Sequence, residues 1–172
     1  NHAVSDLANC GIYIVSSDVI KMTKDRGCCD FSKDIFPEML SKNMKISAYC
    51  TESYWCDIGD LSEYRRCVRD FLDSKIALPV EIPNDGITSY SDIGISSSVS
   101  FIPPVYIGQN VKISGDCSIG PYAVIENNSV IGQRTRIKNS VVSSSVCIGE
   151  DCDITGCVIA DSCTLGNDCT VL

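Results

Sequence analysis

Cysteine is the most prominent chemically reactive residue type in this chain, which carries 12 cysteines among 172 residues. Such a content raises the possibility of disulfide bonds or a zinc site. The spacing favours neither, because Cys28 and Cys29 are adjacent and no pair of CxxC units occurs. Four other cysteines occupy a regular position that Ser, Thr, Ala and Val also fill: Cys117, Cys152, Cys163 and Cys169. A free cysteine there acts as a small hydrophobic residue, so we predict a reduced, cytoplasmic protein with structural thiols.

Other residues capable of chemistry are sparse. The only histidine is His2, and the 12 glycines include no GxG pair. Taken by themselves, Asn9 is a polar residue at the edge of a strand, and Asp57 is an acidic residue before the turn at Gly59. The residue types alone therefore indicate no reaction.

Composition excludes several classes of partner. The formal net charge of −8 argues against nucleic acid and anionic membranes, which are bound by basic surfaces. No apolar run reaches the length of a membrane span, and no signal peptide is visible. A hydrophobic content of 44% is ample for a buried core. We therefore predict a folded protein that binds neither nucleic acid nor membrane.

A six-residue repeat dominates the second half of the chain. Large apolar residues recur at steps of six, with a step of five at two places: Ile95, Phe101, Ile107, Ile113, Ile119, Ile125, Ile131, Ile137, Val142, Ile148, Ile154, Ile159, Leu165 and Val171. A small residue lies four positions after each large residue except the last, as at Val141 and Val158. We expect the large residues to fill flat faces and the small residues to fit near corners.

The repeat of six matches neither an α-helix nor an alternating strand. It indicates short strands joined by tight corners, with three faces and 18 or 17 residues per coil, stacked as parallel strands ~4.8 Å apart. This pattern resembles the left-handed parallel β-helix family, an exception to right-handed crossovers. A β-sandwich with chance periodicity is the alternative. We predict an α/β segment over 1–76, a linker over 77–92 and a left-handed β-helix over 93–172.

The α/β segment is predicted from local patterns. Strands are expected at 8–15, 45–51 and 53–58, and a short helix at 17–22. A second helix is expected with Ser32 as its cap. Since these strands would leave unpaired edges, we expect a further N-terminal portion that completes their sheet.

The last helix of this segment begins after Asp60, with Glu63 in a capping-box position. We place Leu61, Tyr64, Val68, Phe71 and Leu72 on its apolar face; the opposite, solvated face carries Arg65, Arg66 and Arg69.

Three motifs carry a resemblance to a known family. They are SDLANCGIYI at 5–14, DFSKDIFP at 30–37 and YWCDIG at 54–59. Their order and spacing resemble the C-terminal part of a sugar-phosphate nucleotidyltransferase, and the mannose-1-phosphate guanylyltransferase group in particular. That family also has a hexapeptide solenoid after the third motif.

The resemblance implies a site and a reaction. In the family, a sugar-1-phosphate oxygen attacks the α-phosphate of a nucleoside triphosphate and pyrophosphate leaves. The resemblance places the sugar-binding amide at Asn9, the adjoining glycine at Gly11, and one of two Mg²⁺ carboxylates at Asp57. It assigns no catalytic residue to this chain. Sugar-1-phosphate and nucleoside triphosphate are the expected partners of the parent enzyme, and we expect the solenoid to form a homo-oligomer.

One departure from the family limits this expectation. The family's Gly-rich phosphate loop and its second metal-binding Asp precede these motifs, and this sequence has no such loop. We therefore expect the chain alone to be inactive in nucleotidyl transfer. Two other functions stay open: a non-catalytic regulatory or scaffold homologue, and a hexapeptide acyltransferase. The acyltransferase is disfavoured, because its usual histidine base has no counterpart in the solenoid.

Overall fold

The computed structural model of the protein describes residues 7–24, 27, 29–76, 83, 85–90 and 94–172. The chain divides into two compact units, Asn1–Trp55 and Cys56–Leu172. The first unit contains helices and extended segments, and the second unit contains one helix and a parallel β-solenoid. The β-dominated fold class predicted from the repeat is confirmed.

Two helical segments form the core of the first unit. Helix α1 spans Ser17–Thr23, as predicted, and a π-helical turn at Phe31–Ile35 runs directly into α2 at Phe36–Ser41. Val19, Ile35 and Met39 are buried together between these elements. The second helical segment therefore begins with the π-helical turn, which precedes α2. Its N-cap is Asp30, not the predicted Ser32. Asp30 Oδ1 accepts hydrogen bonds from the backbone amides of Ser32 and Lys33, at 2.7 and 2.9 Å.

The strands predicted in the first unit do not form. Residues 8–15 and 45–51 have no strand pairing among the described residues, nor do residues 53–58 at the junction of the units. Ile14 and Tyr49 are almost fully exposed. A strand requires a hydrogen-bonded neighbour, and the described part of the chain supplies none for these segments. The sequence pattern shows the β-propensity of these segments, but it does not show whether another strand pairs with them.

Three parallel sheets form the walls of the solenoid in the second unit. Sheet A contains β1 (Ile87–Ser89), β3 (Val105–Ile107), β6 (Ala123–Ile125), β9 (Ser140–Val142) and β12 (Val158–Ile159). Sheet B contains β4 (Lys112–Ile113), β7 (Val130–Ile131), β10 (Cys147–Ile148) and β13 (Thr164–Leu165). Sheet C contains β2 (Ser100–Phe101), β5 (Ser118–Ile119), β8 (Arg136–Lys138), β11 (Asp153–Thr155) and β14 (Thr170–Val171). Strand β1 lies inside the stretch predicted as linker and pairs with β3.

The predicted large residues fill the interior of the solenoid. Those between Ile107 and Ile154 are at most 1% exposed, while residues of the first and last coils are partly covered. In register, Ile119 stacks on Phe101 and on Ile137, which shows that the repeat corresponds to successive coils. The predicted six-residue pattern therefore identifies the core.

Two of the predicted interior small residues point outward instead. Val141 pairs with Val124 and Val158 in sheet A, and Val141 packs against a helix outside the solenoid. The inward positions belong to Ser140 and Cys157. The reason is strand alternation, which places the inward small residue two positions before the large residue of the same strand. A five-residue step shortens the corner between strands, so a count of four from the preceding large residue reaches an outward position.

Helix α3 (Leu61–Leu72) covers the outer face of sheet A. Asp60 caps it as predicted, since Asp60 Oδ1 accepts a hydrogen bond from the Glu63 amide at 2.8 Å. Leu72 is 3% exposed against Val124 and Val141. Leu61, predicted on the apolar face, is 66% exposed, because it precedes the first turn that reaches the sheet.

The cysteines of the described residues are free thiols. Cys117 and Cys152 are buried at the predicted small-residue positions, whereas Cys163 and Cys169 are half-buried in the last coil. None of the helices in the described ranges combines the length and apolar character needed to cross a membrane.

Candidate functional site

The side chain of Asn9 is held in one orientation by two hydrogen bonds. Its Nδ2 donates to the Tyr13 hydroxyl at 2.7 Å, and its Oδ1 accepts from the Gly11 amide at 3.0 Å. A carboxamide has two N–H donors and two acceptor lone pairs. The contact with Tyr13 uses one of the two donors, and the contact with Gly11 uses one of the two lone pairs. Asn9 is exposed and can still offer one donor and one acceptor to a polar ligand.

Tyr13 is fixed in turn by two phenylalanines. Its ring stacks on Phe31 at a centroid distance of 4.8 Å and meets the edge of Phe36 at 5.2 Å. Phe31 and Phe36 begin the π-helical turn and α2, which are anchored by the Asp30 cap. The first two sequence motifs therefore meet in space, with the second positioning the tyrosine that orients Asn9.

Gly11 provides an open backbone surface beside Asn9. Its φ is +74°, a conformation that L side chains rarely adopt, and no atom lies within 4 Å of the position where a Cβ would stand. The conformation aims the Gly11 amide at Asn9 Oδ1. Nothing in the described residues obstructs a ligand from approaching the backbone at this point.

Asp57 belongs to the second unit and lies just before the cap of α3. It is exposed, and in the described ranges no group of three or more His, Cys, Asp and Glu side chains is placed to hold a metal. A single exposed carboxylate suits Mg²⁺, which prefers hard oxygen ligands and often takes one or two carboxylates together with phosphates and water. The chemistry of Asp57 therefore suits one ligand of a Mg²⁺ ion. Its role as a metal ligand stays a prediction.

Two arginines of the predicted solvated face of α3 contact the solenoid. Arg69 Nε and Nη2 both donate to Asn139 Oδ1, at 2.9 and 2.6 Å, and its guanidinium lies 5.6 Å from the Tyr122 ring centroid. Arg65 Nη2 donates to the Asn139 carbonyl at 3.4 Å. Arg66 and Arg69 are exposed, as predicted, and Arg66 pairs with Glu63, whereas Arg65 is half-buried. The helix therefore uses its basic side for docking within the second unit.

Comparison with known proteins identifies both parts of the chain. Residues 1–74 match the family model described as Nucleotidyl transferase, and residues 101–172 match the model described as GMPPB C-terminal domain. The N-terminal part of the chain is a fragment of a nucleotidyltransferase domain, and a parallel β-solenoid follows it. The nucleotidyltransferase match contains all three sequence motifs, and the second match covers the solenoid from β2 to its last strand.

Curated relatives of this chain are named for reactions of glucose 1-phosphate. A glucose-1-phosphate adenylyltransferase of Halalkalibacterium halodurans is 38% identical over 87 residues, covering 47% of this chain and 23% of that protein. Another, from Lachnospira eligens, is 33% identical over 117 residues, or 65% and 26% of the two chains. A UTP–glucose-1-phosphate uridylyltransferase of Synechocystis sp. is 30% identical over 151 residues, or 78% and 39%. The matched segments thus span about a quarter to two-fifths of these relatives.

Sequence reasoning missed the aromatic support of the site. Tyr13 lies in the first motif, and Phe31 and Phe36 lie in the second, so all three were visible as motif residues. Their mutual contact was not visible, because spacing along the chain does not reveal which aromatic rings stack. The structure brings Asn9, Gly11 and Tyr13 together.

Proposed function

We propose that this chain is the C-terminal part of a sugar-1-phosphate nucleotidyltransferase, with mannose 1-phosphate and GTP as its substrates. The observation that carries the proposal is the match of two family models in the order nucleotidyltransferase, then solenoid. The relatives' names support the reaction class, and the motif resemblance to guanylyltransferases supports the choice of base and sugar. Mg²⁺ is the proposed cofactor, and a cytoplasmic location is part of the same proposal.

The reaction joins two phosphate groups. An oxygen of the sugar 1-phosphate attacks the α-phosphorus of the nucleoside triphosphate, forming a P–O bond as the bond to the β-phosphate breaks. The electron pair leaves with pyrophosphate. Such a reaction depends mainly on positioning and on neutralising negative charge. The residues of this chain would contribute to positioning through the sugar site and to charge neutralisation through Asp57.

Asn9 is the proposed sugar-binding residue. Its amide is already oriented by Tyr13 and Gly11, so binding a sugar hydroxyl costs little side-chain entropy. The remaining N–H and lone pair suit neighbouring hydroxyls, each of which both donates and accepts. Gly11 lets the sugar ring approach the backbone, since no atom stands where a Cβ would project.

Asp57 is the proposed metal ligand. Its carboxylate is exposed and can bind Mg²⁺ together with phosphate oxygens. When bound, the cation would neutralise charge on the phosphates. Asp57 would supply one carboxylate ligand to the cation, and phosphate oxygens and water would supply others.

The solenoid is proposed to mediate homo-oligomerisation. Its outer surface exposes the apolar side chains of Ile102 and Val130, which a second copy could cover. Sedimentation of the 172-residue chain should show association at micromolar concentration. A monomer at high concentration would contradict this part of the proposal.

Kinetics of the complete protein that carries this chain test the site. In Asn9→Ala, loss of the amide should raise KM for the sugar 1-phosphate about three- to tenfold, with little change in KM for GTP. In Asp57→Asn, the Mg²⁺ concentration for half-maximal rate should rise at least about tenfold, as expected when a ligand oxygen is lost. Glu52→Gln is the matched control, because Glu52 is an exposed carboxylate near Asp57 in sequence. If both variants behave like the control, the proposed site is wrong.

A further inference from the structure

A cavity lies between α3 and the outer face of sheet A, within the second unit. Its volume is about 310 Å³, at the lower end of the range for small-molecule pockets. Seven residues line it: Tyr64, Val68, Phe71, Tyr106, Val124, Glu126 and Asn127. Neither the proposed sugar site nor Asp57 is among them, so the proposed nucleotidyl transfer does not account for this cavity.

Aromatic rings form one wall of this α3–sheet A cavity. Tyr106 projects from β3, and its ring packs edge to face with Phe71 of α3 at a centroid distance of 6.2 Å. The Tyr90 ring also packs against Tyr106, at a centroid distance of 5.9 Å. These contacts hold the Tyr106 ring in place at the cavity. The face of an aromatic ring carries partial negative charge and attracts cations.

The charged groups around the cavity are acidic. Glu126 is the one charged residue among the lining residues, and its Oε2 accepts a hydrogen bond from the Ser144 hydroxyl at 2.9 Å. Burial raises the pKa of the Tyr64 hydroxyl, and the carboxylate of Glu126 raises it further, with smaller contributions from Cys67 and Asp161. Asp161 Oδ1 accepts a hydrogen bond from the Ser144 amide at 2.9 Å, so both carboxylates lie beside Ser144, where they favour a positive ligand.

The arginines of α3 make their hydrogen bonds outside the lining of the cavity. Arg65 and Arg69 donate to Asn139, and Arg66 pairs with Glu63. The lining includes no lysine or arginine. An anion such as a nucleotide or a sugar phosphate would therefore meet a carboxylate with no compensating charge, whereas a cation would meet Glu126 and ring faces.

We propose that the α3–sheet A cavity binds a small organic ammonium ion, with Glu126 as its counter-ion and the Tyr106 and Phe71 rings as its apolar walls. Such a ligand has both properties that the cavity selects, a diffuse positive charge and an apolar surface. Alkylammonium groups match aromatic walls better than compact, strongly hydrated metal ions do. This inference does not depend on the proposed nucleotidyl transfer.

Choline is a suitable probe, and its uncharged carbon isostere 3,3-dimethylbutan-1-ol is the control ligand. Both are titrated into the 172-residue chain at millimolar concentrations while amide chemical shifts are recorded. The proposal predicts shifts at β3, β6 and α3 with choline, and affinity for the isostere at least about tenfold weaker, because shape is kept and charge is lost. Equal affinities would show an apolar pocket only and would overturn the proposal, as would no binding of choline.

Variants locate the binding. Glu126→Gln keeps an acceptor for Ser144 but removes the charge, and Tyr106→Leu keeps apolar packing but removes the ring face. Each should weaken choline affinity about three- to tenfold. Asp116→Asn is the matched control, since Asp116 is an exposed carboxylate at another corner of the solenoid and its φ of 62° is one that Asn accepts. Unchanged affinity in the first two variants, or equal loss in the control, would place the cation elsewhere and overturn the proposal.

Discussion

Three glycines that follow large residues along sheet B give the sharpest test of coil stacking. Gly132, Gly149 and Gly166 come directly after β7, β10 and β13. None of them has a positive φ, so an added methyl group tests space alone. A Cβ at Gly132 would lie 2.7 Å from the Glu150 amide nitrogen of the next coil, and a Cβ at Gly149 would lie 2.7 Å from Asn167 N. At Gly166 no atom lies within 4 Å of the Cβ position.

The free-energy difference among these variants can be worked from the contacts. The first two Cβ atoms would lie closer to backbone of the next coil than ordinary van der Waals contact allows, by at least about 0.7 Å, and that backbone can yield only if the coils separate. Overpacking of this kind costs about 1–3 kcal/mol. Alanine at Gly166 meets no atom and reduces the entropy of the unfolded chain, which is worth about 0.4–1 kcal/mol in favour of folding. We expect Gly149→Ala to be about 1.4–4 kcal/mol less stable than Gly166→Ala.

Urea unfolding followed by far-ultraviolet circular dichroism measures this difference. With a slope near 2 kcal/mol per M, the midpoints of Gly149→Ala and Gly166→Ala should differ by about 0.7–2 M. Gly132→Ala should resemble Gly149→Ala. Equal midpoints for all three variants would refute the stacking on which the register of sheet B rests.

Three further predictions concern the solenoid. Ile131→Asp should lose ~2 kcal/mol or more of apolar burial and bury an unpaired carboxylate. Val130→Asp, at an outward position that is 39% exposed, should change the urea midpoint little. A larger loss in Val130→Asp than in Ile131→Asp would show that the assigned inward and outward positions are reversed. Arg134 lowers the pKa of Asp151, so this pair stabilises the fold above the unfolded pKa of about 3.9 and the effect is lost as pH falls through the folded pKa. The midpoint difference between wild type and Asp151→Asn should therefore shrink from pH 7 to about pH 2, and a constant difference would contradict the pairing. Burial raises the pKa of the Cys117 thiol, so iodoacetamide should label it at least about tenfold more slowly than exposed Cys147, as read by peptide mass spectrometry; equal rates would contradict its burial.

The solenoid could be predicted because every coil must solve the same packing problem. One large residue per face has to fill the centre of a narrow prism, so Ile119 and Ile137 appear at a fixed step in the sequence and stack in the structure. The outward Val141 was misassigned because a count from the preceding large residue runs across the shortened corner. A count back from Val142 along the strand would have identified Ser140.

The first unit was less predictable because its extended segments depend on partners. Ile12 and Ile14 have strand propensity, but in the structure they are exposed and unpaired with any described strand. The site residues show the same limit. Asn9 and Gly11 could be proposed from a motif, yet the hydrogen bond from Asn9 to Tyr13 depends on how Phe31 packs, which no local pattern records.

The docking of α3 also lay beyond sequence reasoning. The helix was predicted with its cap, and its apolar residues were mostly assigned correctly, but its partner surface is the outer column of sheet A. That surface is built from residues such as Val124 and Val141, which a count of interior positions overlooks. The cavity beside it follows from the same docking.

Pyrophosphate release by the complete protein that carries this chain tests the central claim most directly. The four common nucleoside triphosphates are each combined with mannose 1-phosphate and with glucose 1-phosphate in the presence of Mg²⁺. The account predicts pyrophosphate release that requires a sugar 1-phosphate, with the highest kcat/KM for GTP and mannose 1-phosphate. No release with any pair would contradict the proposed reaction, and a preference for ATP or UTP with glucose 1-phosphate would contradict the proposed specificity.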